Sequence, residues 1–277
     1  MRIPDVVNET GFHARILYAL GIGYGSDPLD TASLPFVYED SLNTVPSYAD
    51  VLCQPEFWVQ DPQYGVDWVN LLHVEQELII HSPLPASGRF RGRSTVSAIE
   101  DKGKRMGALL HQTKDLFNDA SGVHLASVRS TMLLRGDGGQ GGFGMAPATS
   151  LPLPSRSPDR SVHIPTLPQQ ALIYRLSGDL NPIHIDPEIA SNAGFRAPIL
   201  HGLCTSGISC RALVANYCGD DPGRLKGIFT RFAKPVYPGD TIRFDFFEEG
   251  GLVRFRALVE ERGDVVISRA TACFSLN

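Results

Sequence analysis

The stretch Tyr-Arg-Leu-Ser-Gly-Asp-Leu-Asn-Pro-Ile-His, residues 174–184, places a carboxylate, an amide and an imidazole within six residues of one another. These groups belong to Asp179, Asn181 and His184. The glycine before Asp179 tolerates unusual backbone angles, and the proline after Asn181 fixes its own φ and keeps Asn181 extended. The sequence therefore predicts a short rigid turn that directs three polar side chains to one place. A carboxylate and an imidazole in that arrangement can hold and activate one water molecule.

The segment that follows this turn has the pattern of one helix and a three-stranded meander. Residues 203–217 are largely apolar and contain no proline, which favours a buried helix. Residues 242–247, 253–260 and 265–274 have strand-like composition and are separated by glycine-containing turns. Apolar and polar residues alternate in 242–247, which is typical of a strand with one covered face.

The N-terminal half repeats this order of signals less clearly. A proline-rich turn at residues 82–88 precedes three strand candidates at 89–100, 106–117 and 124–134. Each half is therefore expected to be a helix followed by an antiparallel meander. A helix this apolar must be wrapped by a curved sheet, which predicts an α+β fold with two packed copies of one unit.

A glycine-rich run beginning at residue 136 leads into a segment rich in proline, serine and arginine. We interpret residues 137–168 as a linker between an N-terminal repeat, 1–136, and a C-terminal repeat, 169–277. The alternative is a loop that cradles a phosphate. No GxGxxG or Walker pattern with the required flanking strand and helix occurs here, which favours the connector.

The ordered motifs Y-R-L-S-G-D-x-N-P-x-H-x-D-P, A-G-F and P-I-L-H-G-L-C resemble the MaoC-like (R)-specific 2-enoyl-CoA hydratases. The likeness is to the long two-repeat form, as in the hydratase domain of peroxisomal multifunctional β-oxidation enzymes. Further stretches of the chain look like that family, namely Tyr18-Ala-Leu-Gly-Ile-Gly, Phe36-Val-Tyr-Glu, Leu71-Leu-His, Asp101-Lys-Gly, Gly139-Gln-Gly-Gly-Phe-Gly and Arg231-Phe-Ala-Lys-Pro-Val-Tyr-Pro-Gly-Asp. The resemblance implies a double hot-dog fold with the chemistry in the C-terminal repeat and room for an acyl chain beside the non-catalytic N-terminal one. The N-terminal half indeed contains no Asp-x-Asn-Pro-x-His turn.

The predicted reaction is the reversible hydration of trans-2-enoyl-CoA to (3R)-3-hydroxyacyl-CoA, without a metal ion or an organic cofactor. Asp179 and His184 would activate the water and protonate C2 as a pair that titrates as a unit, so neither is assigned as the base. Asn181 would fix the water or the thioester. The N–H of Gly202, at the expected start of the apolar helix, would stabilise the enolate, as the corresponding glycine does in the family.

The resemblance also implies contacts with the coenzyme A part of the substrate at His73, Val74, Lys102, Gly202 and Phe232. Position 74 departs from the family, which often has glycine there, and the side chain and stiffer backbone of valine are expected to change how the acyl or pantetheine segment passes. Glu39 is a supporting carboxylate of the site or a structural hydrogen-bonding group.

Three residues in or near the predicted site have structural interpretations as well. Asp179 could simply bond backbone amides within its turn. Cys204 could be a nucleophile, but a small buried hydrophobe is the favoured interpretation. Asp186 fits a helix N-cap with proline at the first helical position better than a catalytic role.

Composition excludes several classes of protein. The chain has 277 residues, 43% of them hydrophobic and 20% charged, and its net charge of −5 gives no sign of nucleic-acid binding. It contains no run of roughly 18 apolar residues, so no membrane span is expected. We expect a cytoplasmic location, because the N-terminus lacks a secretory apolar region and the C-terminus lacks an organelle address. The five cysteines form no Cys-x-x-Cys pair, which predicts reduced thiols and no zinc site.

Three other functions remain open from the sequence. A 3-hydroxyacyl-thioester dehydratase of a lipid, polyketide or steroid pathway would use the same residues. A hot-dog thioesterase would not need the complete polar turn, and a non-catalytic acyl-CoA-binding protein would bury those polar groups at a cost in stability. Association through sheet edges is expected to give a homodimer.

Overall fold

The computed structural model of the protein describes residues 1–147, 152–219 and 221–275, and ten strands in these residues form one antiparallel sheet. In the N-terminal half they are β1 (Val6–Thr10), β2 (Leu71–Ile80), β3 (Gly88–Asp101), β4 (Ala108–Asn118) and β5 (His124–Leu134). In the C-terminal half they are β6 (Arg160–Pro165), β7 (Leu225–Phe232), β8 (Thr241–Glu249), β9 (Leu252–Val259) and β10 (Asp264–Phe274).

Short helices fill most of the connections in the described residues. The α-helices are α1 (Phe12–Gly21), α2 (Leu34–Val37), α3 (Tyr48–Val51), α4 (Gln170–Tyr174), α5 (Pro187–Asn192) and α6 (Gly202–Tyr217). The 3-10 helices are Thr31–Ser33, Glu39–Ser41, Trp58–Gln60, Pro62–Tyr64, Trp68–Asn70, Arg175–Ser177, Pro182–His184, Pro222–Arg224 and Glu260–Arg262. Among the described residues, none of the helices has both the length and the apolar character needed to cross a bilayer.

The strand order shows that the two halves have the same plan. The order is β1-β3-β4-β5-β2 and then β7-β10-β9-β8-β6, so each strand of the first half has a counterpart in the reversed second half. The halves meet where β2 pairs with β7, and this seam makes the sheet continuous. The predicted α+β arrangement of two similar units is therefore confirmed.

All six strands predicted from the sequence are present, as β3, β4, β5, β8, β9 and β10. The two seam strands, β2 and β7, are not predicted from the sequence, because polar side chains occupy their inward positions. Gln76 in β2 and Thr230 in β7 are cross-strand partners and are almost completely buried. Such residues interrupt the apolar alternation from which a strand is normally predicted.

Part of the segment interpreted as a linker, residues 137–168, is also a strand. β6 pairs with β8 along the edge of the sheet, with Val162 opposite Phe244 and Ile164 opposite Ile242. A run this short has too few alternating residues to indicate a strand without its partner. Residues 148–151 of the same segment lie outside the described residues.

The glycine-rich loop after β5 contacts a carboxylate of the protein itself. The N–H groups of Gly139 and Gly141 donate to the two Asp101 oxygens, each at 2.7 Å, and the Gly103 N–H donates to Oδ1 at 2.8 Å. These hydrogen bonds lower the pKa of Asp101. The loop therefore anchors the end of β3, and these N–H groups are not available to a phosphate.

Helix α6 confirms the buried helix predicted for residues 203–217. Ten of its sixteen residues are buried, and they occur all around the helix, so it lies inside the core. The N-terminal half differs, because its counterpart before β2 is only the four-residue α3 followed by 3-10 turns. Prolines at positions 46, 55 and 62 explain the difference, since a longer helix could not accommodate them.

The outward face of β8 is more buried than the alternation of apolar and polar residues in 242–247 indicates. Asp245 was expected on the uncovered side, but it is fully buried. Burial would raise its pKa, yet hydrogen bonds from Arg243, Ser161 and Arg256 keep the pKa of Asp245 below its ordinary value. Two arginines thus cover a carboxylate that stays charged.

Candidate active site

The turn that follows α4 has a defined local structure. Gly178 has a φ of 121°, a conformation that favours glycine, and it redirects the chain after the 3-10 helix. The Asn181 N–H donates to Asp179 Oδ1 at 3.2 Å, and the Ile183 N–H donates to Asn181 Oδ1 at 3.1 Å. The turn bonding considered for Asp179 is thus present for one carboxylate oxygen. The sequence alone accounts for this geometry, because it depends on residues that are neighbours in the chain.

His184 is buried at the end of this turn, with 8% of its surface exposed. Its Nδ1 lies 2.8 Å from the carbonyl oxygen of Ile199. A carbonyl only accepts, so Nδ1 carries the proton in this contact and Nε2 of the neutral ring is an acceptor. Burial lowers the pKa of His184, although the Ile199 carbonyl and the charge of Asp179 oppose this effect. The ring is therefore a neutral base at pH 7.

A second histidine, His201 of the P-I-L-H-G-L-C motif, joins this pair. His201 is 1% exposed, its ring stacks on that of His184 with centroids 3.6 Å apart, and its Nε2 lies 3.2 Å from the Asp179 carbonyl oxygen. Burial and the neighbouring His184 lower the pKa of His201 to about 4. The available signal was an imidazole directly before the glycine that begins the apolar helix.

Asp179, His184 and His201 form one cluster. A carboxylate oxygen and one ring nitrogen of each histidine all lie within 4.8 Å of one another. The two residues predicted to act together thus face a common space. These are also residue types that can bind a metal ion, with the histidines oriented by backbone carbonyls.

The N-terminus of α6 forms the adjoining wall. Gly202 is the first residue of the helix, and no hydrogen-bond acceptor for its N–H is found among the described residues. A methyl group at Gly202 would lie 3.5 Å from the Phe232 ring. The His73 ring packs edge-on against Phe232 at 5.3 Å, and the charge of Asp179 acts on His73, whose pKa is lowered chiefly by burial. Gly202, Phe232 and His73, predicted from separate segments, are therefore close together near Asp179.

Three further predicted site residues are Val74, Lys102 and Glu39. Val74 lies at an irregularity in β2, between His73 and Glu75, where the register with β5 shifts. Lys102 forms an ion pair with Glu100 at the end of β3. Glu39 is exposed, and no hydrogen bond or ion pair of it is found in the described part of the chain. Their roles stay predictions.

Asn181 is exposed, and its side-chain oxygen is used by the turn. Its amide nitrogen is the group that remains to contact a water or a thioester. The proposed role of Asn181 thus stays a prediction, restricted to hydrogen-bond donation.

Two residues with competing interpretations have structural roles. Cys204 is fully buried, its Sγ donates to the Gly21 carbonyl oxygen at 3.3 Å, and burial raises the pKa of its thiol well above the ordinary value. A thiol of this kind is not a nucleophile at pH 7. Asp186 accepts hydrogen bonds from the N–H groups of Glu188 and Ile189 at 2.8 and 3.3 Å, which confirms its N-cap role for α5.

The fold and the cluster define a class, a double hot-dog protein with one carboxylate and two imidazoles grouped in its C-terminal half. Residues 12–136 match the MFE-2 hydratase 2 N-terminal domain, and residues 150–270 match the MaoC like domain. With full-length relatives above 30% identity, the chain belongs to the MaoC-like hydratase family in its two-repeat form.

Three similar proteins illustrate the membership of this chain in the family. The peroxisomal multifunctional enzyme type 2 of Mus musculus is 37% identical over 264 residues, covering 92% of this chain and 35% of that protein. The chain therefore spans about a third of that relative. Enoyl-CoA hydratase 2, peroxisomal, of Arabidopsis thaliana is 35% identical over 268 residues, covering 91% of this chain and 86% of that protein. A crystal structure of a MaoC-like dehydratase from Phytophthora capsici superposes with a TM-score of 0.87 at 35% identity, covering 99% and 96% of the two chains.

Proposed function

We propose that this protein is a hydro-lyase that reversibly hydrates trans-2-enoyl-CoA to (3R)-3-hydroxyacyl-CoA in fatty-acid or related acyl-CoA metabolism. The observation that supports this most directly is the convergence of Asp179 and His184 at the N-terminus of α6, where the Gly202 N–H has no acceptor among the described residues. The names of the relatives, which include enoyl-CoA hydratases, favour the same reaction.

The reaction requires three groups, and each has a candidate here. The thioester carbonyl is conjugated with the C2=C3 bond, so addition of water at C3 moves charge onto the carbonyl oxygen. The pair Asp179–His184 would take the proton from water as its oxygen attacks C3, and would then deliver a proton to C2. The Gly202 N–H would bond the enolate oxygen, assisted by the positive end of α6.

Nothing in this sequence of steps requires a redox group or a Lewis acid, because the Gly202 N–H would stabilise the charge on the enolate oxygen. We therefore propose that the enzyme uses no cofactor beyond the coenzyme A of its substrate. Treatment with EDTA is expected to leave turnover unchanged, and loss of activity that added Zn²⁺ restores would contradict this.

The substrate contacts are proposed at His73, Val74, Phe232 and Lys102. The first three lie in the seam strands β2 and β7, beside the acid–base cluster. Lys102 would meet a phosphate only by leaving Glu100, since the two side chains form an ion pair.

We also propose a homodimer and a reducing, cytoplasmic environment. All five cysteines are unpaired and four of them are buried. β1 and β6 are the edge strands of the sheet, which offer unpaired backbone groups to a partner. Sedimentation of the purified protein tests the dimer, and a peroxisomal location of the native protein would contradict the cytoplasmic part.

The experiment that tests the reaction follows the loss of enoyl-thioester absorbance with crotonyl-CoA and with longer enoyl-CoAs. The product is then analysed for chirality, and the (R) isomer is expected. An (S) product, or release of free coenzyme A without hydration, would contradict the proposal.

A second candidate is dehydration of a 3-hydroxyacyl thioester, which the dehydratase name of the Phytophthora relative favours. The catalytic groups are the same and the reaction runs in reverse. The equilibrium constant fixes the ratio of kcat/KM in the two directions on one carrier, so the direction of the assay does not separate the two candidates. Comparing kcat/KM for the same acyl chain on coenzyme A and on acyl carrier protein does, because a dehydratase of a carrier-bound pathway should prefer the protein-bound thioester.

A further inference from the structure

His201 is held on three sides inside the cluster. Its Nε2 lies 3.2 Å from the Asp179 carbonyl oxygen, one face lies on His184, and the Tyr174 ring packs nearby with centroids 5.0 Å apart. Tyr174 in turn packs against Tyr18 of α1 at 6.0 Å. A row of four rings therefore extends from the N-terminal half to the catalytic histidine.

The hydrogen bond to Asp179 defines the tautomer of His201. The carbonyl oxygen can only accept, so Nε2 carries the hydrogen and Nδ1 of the neutral ring is an acceptor. No hydrogen-bond partner of that buried Nδ1 is found among the described residues. The ring remains neutral at pH 7, because its pKa is lowered to about 4 by burial and by His184. It thus places no positive charge next to His184.

The contacts of His184 are incomplete without this neighbour. The Ile199 carbonyl fixes one edge of the His184 ring, but a single hydrogen bond still permits rotation about its axis. The stacked ring of His201, inclined by 26°, limits that rotation. The same residue holds the backbone of Asp179, whose side chain is only partly buried.

We propose that His201 is a positioning residue that fixes the ring plane of His184 and the backbone of Asp179, so that both side chains face the same water molecule. This inference rests on the proposed hydration activity. It predicts a loss in kcat with little change in KM, because substrate contacts are unaffected while the acid–base geometry is lost. A displacement of about 1 Å in such a site costs on the order of 100-fold in rate.

Three substitutions separate the two contacts of His201. His201→Gln retains an N–H donor without a ring, His201→Phe retains a ring without a donor, and His201→Met has neither at a length similar to Gln. We expect partial losses of kcat for Gln and Phe, a loss of roughly 10- to 100-fold for Met, and KM within about threefold of the wild type throughout. His163→Met is the matched control, because His163 is an exposed histidine of β6 whose Nε2 contacts Glu260 at 2.9 Å.

A merely structural role would give a different result. In that case kcat per folded molecule would be unchanged, and any loss would follow the melting temperature of each variant. The proposal is overturned if the Met variant retains kcat within about threefold of the wild type, or if activity across the three variants simply follows thermal stability.

An NMR measurement keeps this inference distinct from the proposed reaction. Carbon-13 relaxation of the His184 ring reports the mobility of that ring, which should be low in the wild type and higher in the Met variant, because the stacked ring of His201 is lost. If the wild type hydrates no enoyl-CoA, the proposed function fails while the rise in ring mobility still supports positioning. Unchanged mobility of the His184 ring in the Met variant would overturn the inference even in an active enzyme.

Discussion

Substitution of Gly202 by proline would remove the proposed enolate donor while preserving the helix. Proline is favoured at the first position of a helix, where the backbone N–H has no partner within the helix. The preceding His201 has φ −58° and ψ 139°, the extended conformation that a residue before proline requires. We therefore expect Gly202→Pro to fold, with a stability within about 1 kcal/mol of the wild type.

The expected loss of activity follows from the charge on the enolate. Loss of one aligned donor costs about 3–4 kcal/mol of transition-state stabilisation. Because each 1.36 kcal/mol is roughly tenfold in rate, kcat should fall about 100- to 1,000-fold. The ground-state carbonyl carries less charge than the enolate, so KM should change much less.

Gly202→Ala is the control for the added Cβ atom. It retains the N–H and places one methyl group 3.5 Å from the Phe232 ring, an ordinary van der Waals contact. The assay is the absorbance change of crotonyl-CoA, with circular dichroism to confirm folding. If the folded proline variant turned over substrate as fast as the alanine variant, Gly202 would not be the enolate donor.

Three further predictions concern the acid–base pair and the core. Asp179→Asn and His184→Ala should each lower kcat by roughly 10²- to 10⁴-fold while remaining folded, and a folded Asp179→Asn enzyme with near-normal turnover would contradict the mechanism. In the pH profile of kcat/KM, the decrease on the acid side should have its midpoint below pH 6.5, because burial lowers the pKa of His184 and keeps the ring neutral to lower pH. A midpoint above pH 7 would contradict the lowered pKa of His184. Lys114→Met should destabilise the protein by about 3–5 kcal/mol in urea unfolding, because the buried Lys114 ammonium bonds three carbonyls of the α3 region and is the counter-charge to Asp50. This deficit should be smaller at pH 5 than at pH 8. The pKa of Asp50 is raised to about 6 by burial and is held down by Lys114, so removal of the ammonium should raise it further. At pH 5 the carboxyl is then mostly neutral in both folded proteins, whereas at pH 8 only the variant must bury an unpaired charge or take up a proton. An equal deficit at both pH values would contradict the role of Asp50.

The parts of the site that depend on neighbouring residues could be predicted from the sequence. Gly178, Asp179 and Asn181 form their turn through contacts no more than a few positions apart. The apolar composition that predicts α6 likewise belongs to one segment. The start of that helix at Gly202 then follows from the break at His201, whose backbone is extended.

Contacts between distant segments could not be predicted in this way. The role of His201 depends on a ring from another turn and on a carbonyl 22 positions earlier. The buried pair of Gln76 and Thr230 conceals both seam strands, because polar side chains in a core have partners that only the fold supplies. The boundaries proposed for the two repeats and their linker stay predictions.

The loop of glycines around Asp101 has a consequence for engineering. Three backbone N–H groups converge on this carboxylate and form an anion-binding site, which the side chain of Asp101 itself occupies. Shortening that side chain to alanine would leave an empty oxyanion receptor at the surface, where a small inorganic anion in the buffer could replace the missing carboxylate and restore the anchoring of β3.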